Sequence, residues 1–308
     1  MTGRIWLDGE LVPAERATVH VLTHALHYGT GVFDSLRAYP TDAGPALFRP
    51  DAHVDRLIAS AELLRMPIPF EAEEIRAGIR AVVADSGLDA CYVRPIAFRG
   101  EGSMGVSPRD CPVRLAIAAW EWGTYLGDAA ARDGIRVTIS SWQRIGGRTH
   151  LPAAKATAHY LNGVLARMDA EEAGYDEALL LDERGELSEG TAENLLIVER
   201  DGTLATPPAT SSALGGITRA SLLELARGAG IRVAERPITR SELFLAAEVL
   251  LTGTAAEITP VRSIDGRQVG AGEPGPVTRR LQALFDDAVH GRLGAYAHWL
   301  EVMAPAAV

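Results

Sequence analysis

The chain has 308 residues, of which 47% are hydrophobic, 23% charged and 6% aromatic, and its formal net charge is -10. This negative charge argues against nucleic acid and anionic membranes as partners, because both require a positive protein surface. No apolar run approaches the ~18–20 residues that a membrane-spanning helix needs. The N-terminal segment lacks a signal-peptide core, and the two cysteines, Cys91 and Cys111, have neither CxxC nor metal-ligand spacing. We therefore expect a cytoplasmic protein without disulfides or bound metal.

The first half of the chain predicts a mixture of helices and strands. A short hairpin is expected to turn at Asp8-Gly9. Asp51 is expected to cap a helix, and a second helix is expected near Glu71–Asp85, where apolar residues recur at helical spacing. Strands are expected at Cys91–Phe98 and Val113–Trp120. This order of elements predicts an α+β domain.

The second half is richer in strands, and a Gly/Asp/Ala-rich loop at Gly123–Gly134 separates it from the first. We expect an N-terminal domain over 1–124, an interdomain loop over 125–134 and a C-terminal domain over 135–308, because a chain of this length usually has two cores. The predicted strands are Ile135–Trp142, Glu177–Asp182, Asn194–Glu199, Ile231–Glu235 and Val249–Thr252. The predicted helices are Ala156–Ala173 with Leu161, Val164, Leu165 and Met168 inward, Thr218–Ala229, and one from Pro276 that buries Val277, Leu281, Leu284 and Phe285.

Lys155 is the first candidate for chemistry. It lies in THLPAAKATAHYLN, where alanines and a leucine surround it within a few positions. Apolar surroundings disfavour the charged amine and favour an amine that can act as a nucleophile and form imines. The alternative is a lysine whose stem covers an apolar surface while its head reaches water.

Two glycine-containing segments are candidate phosphate sites. Gly215 and Gly216 precede a helix that we expect to begin at Thr218, with the threonine hydroxyl as its cap. The N–H groups at a helix start attract phosphate. The GTAAE loop contains Thr254, whose hydroxyl and backbone could contribute in the same way. Each segment is also compatible with an ordinary turn.

Two further patterns contain charged side chains. Tyr92 and Arg94 point to the same face of the predicted strand, and an arginine beside a phenol is a good carboxylate receptor. Glu189 and Glu193 lie in SEGTAEN, where a buried carboxylate could keep a pyridine nitrogen protonated. The alternative for the first pattern is a surface arginine beside a half-buried tyrosine. The alternative for the second is a pair of solvated acidic residues in a loop.

The sequence as a whole resembles the branched-chain amino-acid aminotransferases of the fold-type IV pyridoxal-phosphate enzymes. The matching segments occur in family order and cover most of the chain: HALHYGTGVFDSLRAY at 24–39, YVRPIAFRGEGSMGV at 92–106, WGTYLG at 122–127, PAAKATAHYLN at 152–162, LSEGTAENL at 187–195, TPPATSSALGGITR at 206–219 and GTAAEITPVRSIDG at 253–266. The resemblance implies an α+β fold with a smaller N-terminal domain and a strand-rich pseudo-barrel C-terminal domain that binds pyridoxal 5'-phosphate.

The resemblance also implies roles for individual residues. Lys155 would form the Schiff base with the cofactor and move the proton during catalysis, Tyr160 would bind the phenolic oxygen, and Glu189 would pair with the pyridine nitrogen. The other implied cofactor contacts are Arg56, Leu214, Gly216, Ile217, Thr218 and Thr254. The implied carboxylate contacts are Tyr28, Tyr92, Arg94, Thr254 and Ala255. The implied side-chain pocket consists of Phe33, Ser35, Trp122, Tyr125 and a Val106 from a partner subunit.

This resemblance implies a ping-pong exchange of an amino group between an apolar L-amino acid and 2-oxoglutarate, catalysed by at least a homodimer and possibly a hexamer. Asp34 and Ser35 stand where the family usually has Glu-Gly, and His159 stands where asparagine is common. The added hydroxyl of Ser35 is expected to narrow or polarise the pocket, which would suit a specialised amino acid. D-amino-acid or (R)-amine aminotransferases, an aminodeoxychorismate-type lyase and a non-catalytic cofactor-binding regulator are the alternatives.

Overall fold

The computed structural model describes residues 3–123 and 127–303, which divide into two compact units. Unit 1 takes in the described residues of Met1–Trp122, Ala154–Ala158 and Asp287–Val308. Unit 2 takes in those of Gly123–Ala153 and His159–Asp286. The division into domains at 1–124 and 135–308 stays a prediction.

Helices and strands occur in both units. The α-helices of the described residues are α1 His24–Tyr28, α2 Pro50–Leu63, α3 Ala72–Ser86, α4 Asp128–Asp133, α5 Tyr160–Glu172, α6 Ile217–Gly228, α7 Arg240–Leu245 and α8 Pro276–Val289. Short 3-10 helices lie at Ala14–Arg16, Thr157–His159, Ala209–Ser211 and Gly294–Trp299. Across the described part of the chain, no helix combines the length and the apolar character that a membrane crossing requires.

Unit 1 is built on a sheet that α3 covers. Its described strands are β1 Arg4–Leu7, β2 Glu10–Pro13, β3 Gly31–Phe33, β4 Leu36–Thr41, β5 Gly44–Phe48, β6 Cys91–Arg99, β7 Val113–Trp120 and β17 Leu300–Val302. Their order is β17-β5-β4-β6-β7-β1-β2, and β3 also pairs with β6. The core between helices and sheet contains Leu36, Leu57, Ile79 and Ile117, all fully buried. The sheet places β3 and β4 beside β6, which matters for the site below.

Unit 2 contains a closed ring of strands. Its described strands are β8 Ile135–Gln143, β9 Glu177–Leu181, β10 Leu187–Gly190, β11 Asn194–Val198, β12 Leu204–Thr206, β13 Val233–Glu235, β14 Glu248–Gly253, β15 Glu257–Ile264 and β16 Arg267–Gln268. The path β10-β9-β8-β15-β14-β11 closes because β10 also pairs with β11. Ring closure satisfies the strand edges that an open sheet leaves unpaired. The predicted strand-rich barrel is therefore present.

Several predicted elements are confirmed. The hairpin turns at Asp8-Gly9, between β1 and β2. Strand β7 has the predicted bounds, and β6 extends one residue beyond them to Arg99. The final helix begins at Pro276, and its buried side chains include Leu281 and Phe285. These segments have strong local signals, namely alternation, a turn pair or a proline start.

The predicted inward face of α5 is wrong. Leu161, Val164 and Met168 are 63%, 50% and 51% exposed, whereas Gly163, Ala166 and Ala170 are buried. A Cβ at Gly163 would lie 2.5 Å from the Thr191 carbonyl oxygen. The backbone at Thr191 approaches α5 so closely that only the face with small side chains can be buried there, although the opposite face is more apolar.

Two predicted caps and one predicted loop are also wrong. Helix α2 begins at Pro50, so Asp51 lies inside it and instead accepts a hydrogen bond from Arg76 (2.8 Å). Helix α6 begins at Ile217 with Gly216 as its N-cap, and Thr218 is buried in the first turn. The predicted Gly123–Gly134 loop contains α4, which an alanine-rich run of good helix formers explains.

Candidate active site

The backbone of Lys155 is fixed in unit 1. Its N–H donates to Ser60 Oγ (3.0 Å), and its carbonyl oxygen accepts from the N–H of Phe33 (3.0 Å). The flanking Ala154 and Ala156 are buried, and the side chain of Lys155 is half-buried. The Nζ atom lies 5.1 Å from the centroid of the Phe33 ring. The amine is therefore presented from a rigid backbone beside an aromatic face.

Lys155 is the only lysine of the chain, whose other 29 basic side chains are arginines. Arginine supplies charge and hydrogen bonds, but its guanidinium stays protonated and does not form imines. Lys155 therefore carries the one side-chain amine of the chain. The motif around Lys155 does not contain this signal, which comes from the composition of the whole chain.

The guanidinium of Arg94 lies within a set of aromatic rings in unit 1. Its Cζ atom is 4.5 Å from the centroid of Phe33, 5.4 Å from that of Tyr92 and 5.9 Å from that of Trp120. Arg94 donates from Nε to Ser35 Oγ (2.7 Å) and from NH2 to the Tyr92 hydroxyl (3.3 Å). Among the described residues, no carboxylate lies within ion-pair distance of Arg94. A half-buried cation without a protein counter-ion can bind an anionic ligand.

Asp34, which precedes Ser35, forms a buried hydrogen-bond network with His53 and Arg56. Asp34 accepts from Arg56 Nε and NH2 (both 2.8 Å) and from His53 Nδ1 (2.6 Å). Burial alone would raise the pKa of Asp34, but the Arg56 and His53 partners outweigh it and lower that pKa. Burial lowers the pKa of His53 despite the nearby carboxylate. His53 was not predicted, although it lies three residues before Arg56 on the same face of α2.

Two further predicted substrate residues, Tyr28 and Val106, lie on the surface of unit 1. Tyr28 is 41% exposed and donates to the Met104 carbonyl oxygen (2.8 Å), while Val106 is 81% exposed. The ring of Trp122 lies 4.4 Å from that of Tyr92, which connects it to the aromatic set around Arg94. Tyr125 lies outside the described residues.

In unit 2, the carboxylate of Glu189 is held by several donors. Its Oε2 accepts from the Leu214 N–H (2.9 Å) and from Asn194 Nδ2 (3.3 Å). Its Oε1 lies 2.7 Å from Arg144 Nε in an ion pair that lacks the alignment of a hydrogen bond. The predicted contacts Glu189 and Leu214 are thus brought together. Arg144 and Asn194 were not predicted, although Asn194 directly follows SEGTAE.

Asn194 connects the Glu189 carboxylate to the segment that leads into α6. Asn194 Nδ2 also donates to the Leu214 carbonyl oxygen (2.8 Å), two residues before the N-cap Gly216. Glycine has no side chain that could cap the helix, so the first N–H groups of α6 can be offered to an anion. Ile217 and Thr218 occupy the first turn, as a phosphate site at this position requires.

The other predicted residues of unit 2 are placed as follows. Tyr160 is the first residue of α5 and is half-buried. His159 is buried, with its ring centroid 5.1 Å from that of His150 in an edge-to-face arrangement. Thr254 and Ala255 form the turn that connects β14 to β15. Their roles stay predictions.

A family model described as "Amino-transferase class IV" matches residues 31–264. The chain belongs to this family. The curated branched-chain-amino-acid aminotransferase of Pseudomonas aeruginosa is 46% identical to this class IV aminotransferase over 96% of each chain. The resemblance inferred from the motifs is therefore confirmed.

Solved structures lead to the same fold. The crystal structure of the Escherichia coli branched-chain amino acid aminotransferase matches this class IV aminotransferase with a TM-score of 0.96 and 44% identity, over 99% of this chain and 100% of that one. A crystal structure of the T.th. branched-chain amino acid aminotransferase with pyridoxamine 5'-phosphate matches with a TM-score of 0.95 and 46% identity, over 99% of both chains. The predicted fold class, α+β of fold-type IV, is confirmed.

Proposed function

We propose that this chain transfers the amino group between a branched-chain or related apolar L-amino acid and 2-oxoglutarate, with pyridoxal 5'-phosphate as cofactor. Its curated relatives carry the name branched-chain-amino-acid aminotransferase at 46% identity over almost their whole length. That identity supports the same reaction class and the same kind of substrate. The alternatives on this fold, a D-amino-acid or (R)-amine aminotransferase and a lyase, are not favoured by these relatives.

One observation carries this proposal: the single lysine of the chain lies at the family's lysine motif. Its backbone N–H and carbonyl oxygen both form hydrogen bonds, and its Nζ atom lies 5.1 Å from the centroid of the Phe33 ring. A chain that retains one lysine among arginines needs an amine at that position. A regulator that only binds the cofactor would not need it.

The chemistry of several residues fits pyridoxal phosphate. Glu189 offers a buried carboxylate suited to a pyridine nitrogen, and the glycine-started helix α6 offers N–H groups suited to a phosphate. Lys155 offers an amine suited to the cofactor carbonyl. The T.th. relative was crystallised with pyridoxamine 5'-phosphate, which supports this cofactor. The further contacts that we assign to the cofactor are Arg56, Tyr160, Leu214, Gly216, Ile217, Thr218 and Thr254.

The proposed chemistry divides between the cofactor and the chain. Pyridoxal phosphate supplies a carbonyl that binds amino groups and a ring that accepts electrons. Lys155 Nζ removes the proton from the substrate α-carbon in one half-reaction and returns a proton to the corresponding carbon in the other. Arg94 binds the side-chain carboxylate of 2-oxoglutarate, and the rings of Phe33, Tyr92 and Trp122 contact an apolar substrate side chain and exclude water. We also assign Tyr28, Val106, Tyr125, Thr254 and Ala255 to the substrate.

A donor panel tests the proposal directly. We expect purified protein with 2-oxoglutarate to convert L-leucine, L-isoleucine and L-valine to their 2-oxo acids and to leave D-leucine unchanged. Borohydride should attach the cofactor covalently to Lys155, and Lys155→Arg should abolish transamination while keeping the charge. Pyruvate release from aminodeoxychorismate would instead identify the lyase.

The chain offers a matched control for the labelling. Arg200→Lys adds a second lysine at an exposed position of unit 2. We expect this variant to keep full activity and to be labelled at residue 155 alone. Labelling at residue 200, or active Lys155→Arg protein, would contradict the proposed role of the amine.

We further propose that the enzyme is at least a homodimer. Unit 1 exposes several apolar side chains, among them Val21 (70%), Leu26 (62%) and Val106 (81%). Exposed apolar side chains are candidates for an association surface where they are contiguous. Light scattering after size exclusion tests this proposal, and a monomer at micromolar concentration would contradict it. A dimer and a hexamer differ threefold in mass, so the same measurement separates them.

A further inference from the structure

The step from β3 to β4 places Ser35 opposite Arg94. Strands β3 and β4 both pair with β6, with Phe33 opposite Ile96 and Leu36 opposite Val93. The Asp34–Ser35 step between them must therefore face Arg94–Pro95. Its backbone is held on both sides, since the Asp34 N–H donates to the Pro95 carbonyl oxygen (2.9 Å) and the Ser35 N–H donates to Asp34 Oδ1 (2.7 Å).

This placement gives the Ser35 hydroxyl one defined partner. Ser35 is 3% exposed, and its Oγ accepts from Arg94 Nε at 2.7 Å. A bond at Nε, on the inner side of the guanidinium, restricts rotation about the end of the side chain. The fork end of the guanidinium then points away from Ser35 and can make two parallel hydrogen bonds to a carboxylate.

The surroundings of Arg94 select between two kinds of substrate side chain. Phe33, Tyr92 and Trp120 lie around the guanidinium and offer apolar faces to an alkyl group. The guanidinium, which has no carboxylate partner among the described residues, offers its donors to an acidic group. The side chain of an apolar substrate would contact the aromatic rings, whereas the second carboxylate of a dicarboxylic substrate would bind the Arg94 guanidinium.

We propose that Ser35 is a positioning residue, whose hydroxyl orients Arg94 to bind the second carboxylate of a dicarboxylic 2-oxo acid. A glycine at this position, as in the usual family pattern, cannot make this contact. This role gives the expected polarisation of the pocket by Ser35 a specific form, because the hydroxyl contacts Arg94. This inference rests on the proposed aminotransferase function.

The test compares two acceptors on the cofactor-loaded enzyme, 2-oxoglutarate and 4-methyl-2-oxopentanoate. We expect Ser35→Ala to raise KM for 2-oxoglutarate about fivefold to tenfold, with kcat and the KM for 4-methyl-2-oxopentanoate changed less than about twofold. Ser86→Ala is the matched control, since the Ser86 hydroxyl donates to the Val83 carbonyl oxygen at the end of α3, in the same unit. It should change neither KM.

A double-mutant cycle separates positioning from a general structural effect. In an Arg94→Gln background, Ser35→Ala should have no further effect on KM for 2-oxoglutarate, because its contribution acts through Arg94. Equal changes for both acceptors, no change for either, or an undiminished effect in the Arg94→Gln background would each overturn the proposal.

A binding measurement keeps this inference separate from the proposed activity. Calorimetric titration with glutarate, a dicarboxylate without the 2-oxo group, should show weaker binding to Ser35→Ala than to the wild type, by the same factor as the KM change. If the wild type binds glutarate but does not transaminate, the proposed function is contradicted. The comparison of glutarate binding between the wild type and Ser35→Ala then still tests the role of Ser35. Equal glutarate binding by both proteins would overturn the role of Ser35.

Discussion

Asp34 and Arg56 form a two-point ion pair in which both hydrogen bonds measure 2.8 Å and the carboxylate is completely buried. His53 adds a third donor to the same carboxylate. Arg56 is a proposed cofactor contact, so Asp34 fixes the position of a cofactor-binding side chain. Loss of this ion pair is therefore expected both to destabilise unit 1 and to weaken cofactor binding.

Asp34→Asn should be strongly destabilising. The change removes the buried negative charge that pairs with the guanidinium of Arg56, which is 15% exposed. Breaking a buried ion pair on one side costs about 3–5 kcal/mol. Urea unfolding of the cofactor-free protein measures the loss. Asp51→Asn, on the same helix as Arg56 but 75% exposed, is the control and should cost less than about 1 kcal/mol.

The contribution of Asp34 should depend on pH in one direction. Its folded-state pKa is lowered below the unfolded value of about 3.9, so its contribution is fully present above that value. The contribution is lost as the pH falls from there toward the folded pKa. We expect the difference in unfolding free energy between the wild type and Asp34→Asn to be constant between about pH 6 and 8 and to narrow below about pH 4. A difference that widens on acidification would contradict this assignment.

The elements that the sequence predicts well have signals within a few residues of each other. Strand alternation and the Asp8-Gly9 turn locate the first hairpin, and the motif around Lys155 identifies the amine. The inward face of α5 fails for the opposite reason. Its burial is decided by the approach of Thr191 to Gly163, a contact between segments that local hydrophobicity does not contain.

The site shows the same division between local and tertiary information. Arg94, Tyr92 and Glu189 were found from their motifs, but their partners were not. His53 reaches Asp34 over 19 positions, and the Leu214 N–H reaches Glu189 over 25. Such contacts depend on how strands and helices are arranged, so a single sequence cannot specify them. The count of one lysine was available from the beginning and needs no structure.

Gly216→Ala should weaken cofactor binding far more than Gly215→Ala. A Cβ at Gly216 would overlap the side-chain oxygen of Asn194, which must then move. Asn194 holds both the Leu214 carbonyl oxygen and the Glu189 carboxylate, so its displacement disturbs the proposed nitrogen and phosphate contacts together. We expect Kd for pyridoxal phosphate to rise at least about tenfold, in line with the roughly 1–3 kcal/mol of an overpacked site.

Gly215 is a close control for this change. A Cβ at Gly215 has no atom within 4 Å in the described structure, and the residue precedes Gly216 in the same loop. Cofactor titration by absorbance should therefore give Gly215→Ala the affinity of the wild type. Similar losses in both variants would mean that the loop tolerates no side chain at all, rather than that Asn194 is the sensitive contact.

Because of Glu193, the free energy of unfolding should fall as the pH rises. It is 3% exposed, and burial, followed by the neighbouring Glu177 carboxylate, raises its pKa well above the usual range. Between the unfolded pKa of about 4.3 and the higher folded pKa, the folded state binds more protons than the unfolded state, so the unfolding free energy falls with pH. Glu193→Gln removes this proton uptake, and its Oε1 can still accept from the Ala192 N–H as Glu193 Oε2 does at 3.1 Å.

Unfolding curves at a series of pH values measure this effect. Relative to the wild type, Glu193→Gln should gain stability as the pH rises from about 5 to 8, by about 1.4 kcal/mol for each pH unit over which the wild type keeps the extra proton. Glu172→Gln, which makes the same substitution at an exposed position at the end of α5, is the control. A pH-independent difference for Glu193→Gln would mean that Glu193 is ionised in the folded protein, with Arg167 compensating its charge in addition to those of Glu177 and Glu171.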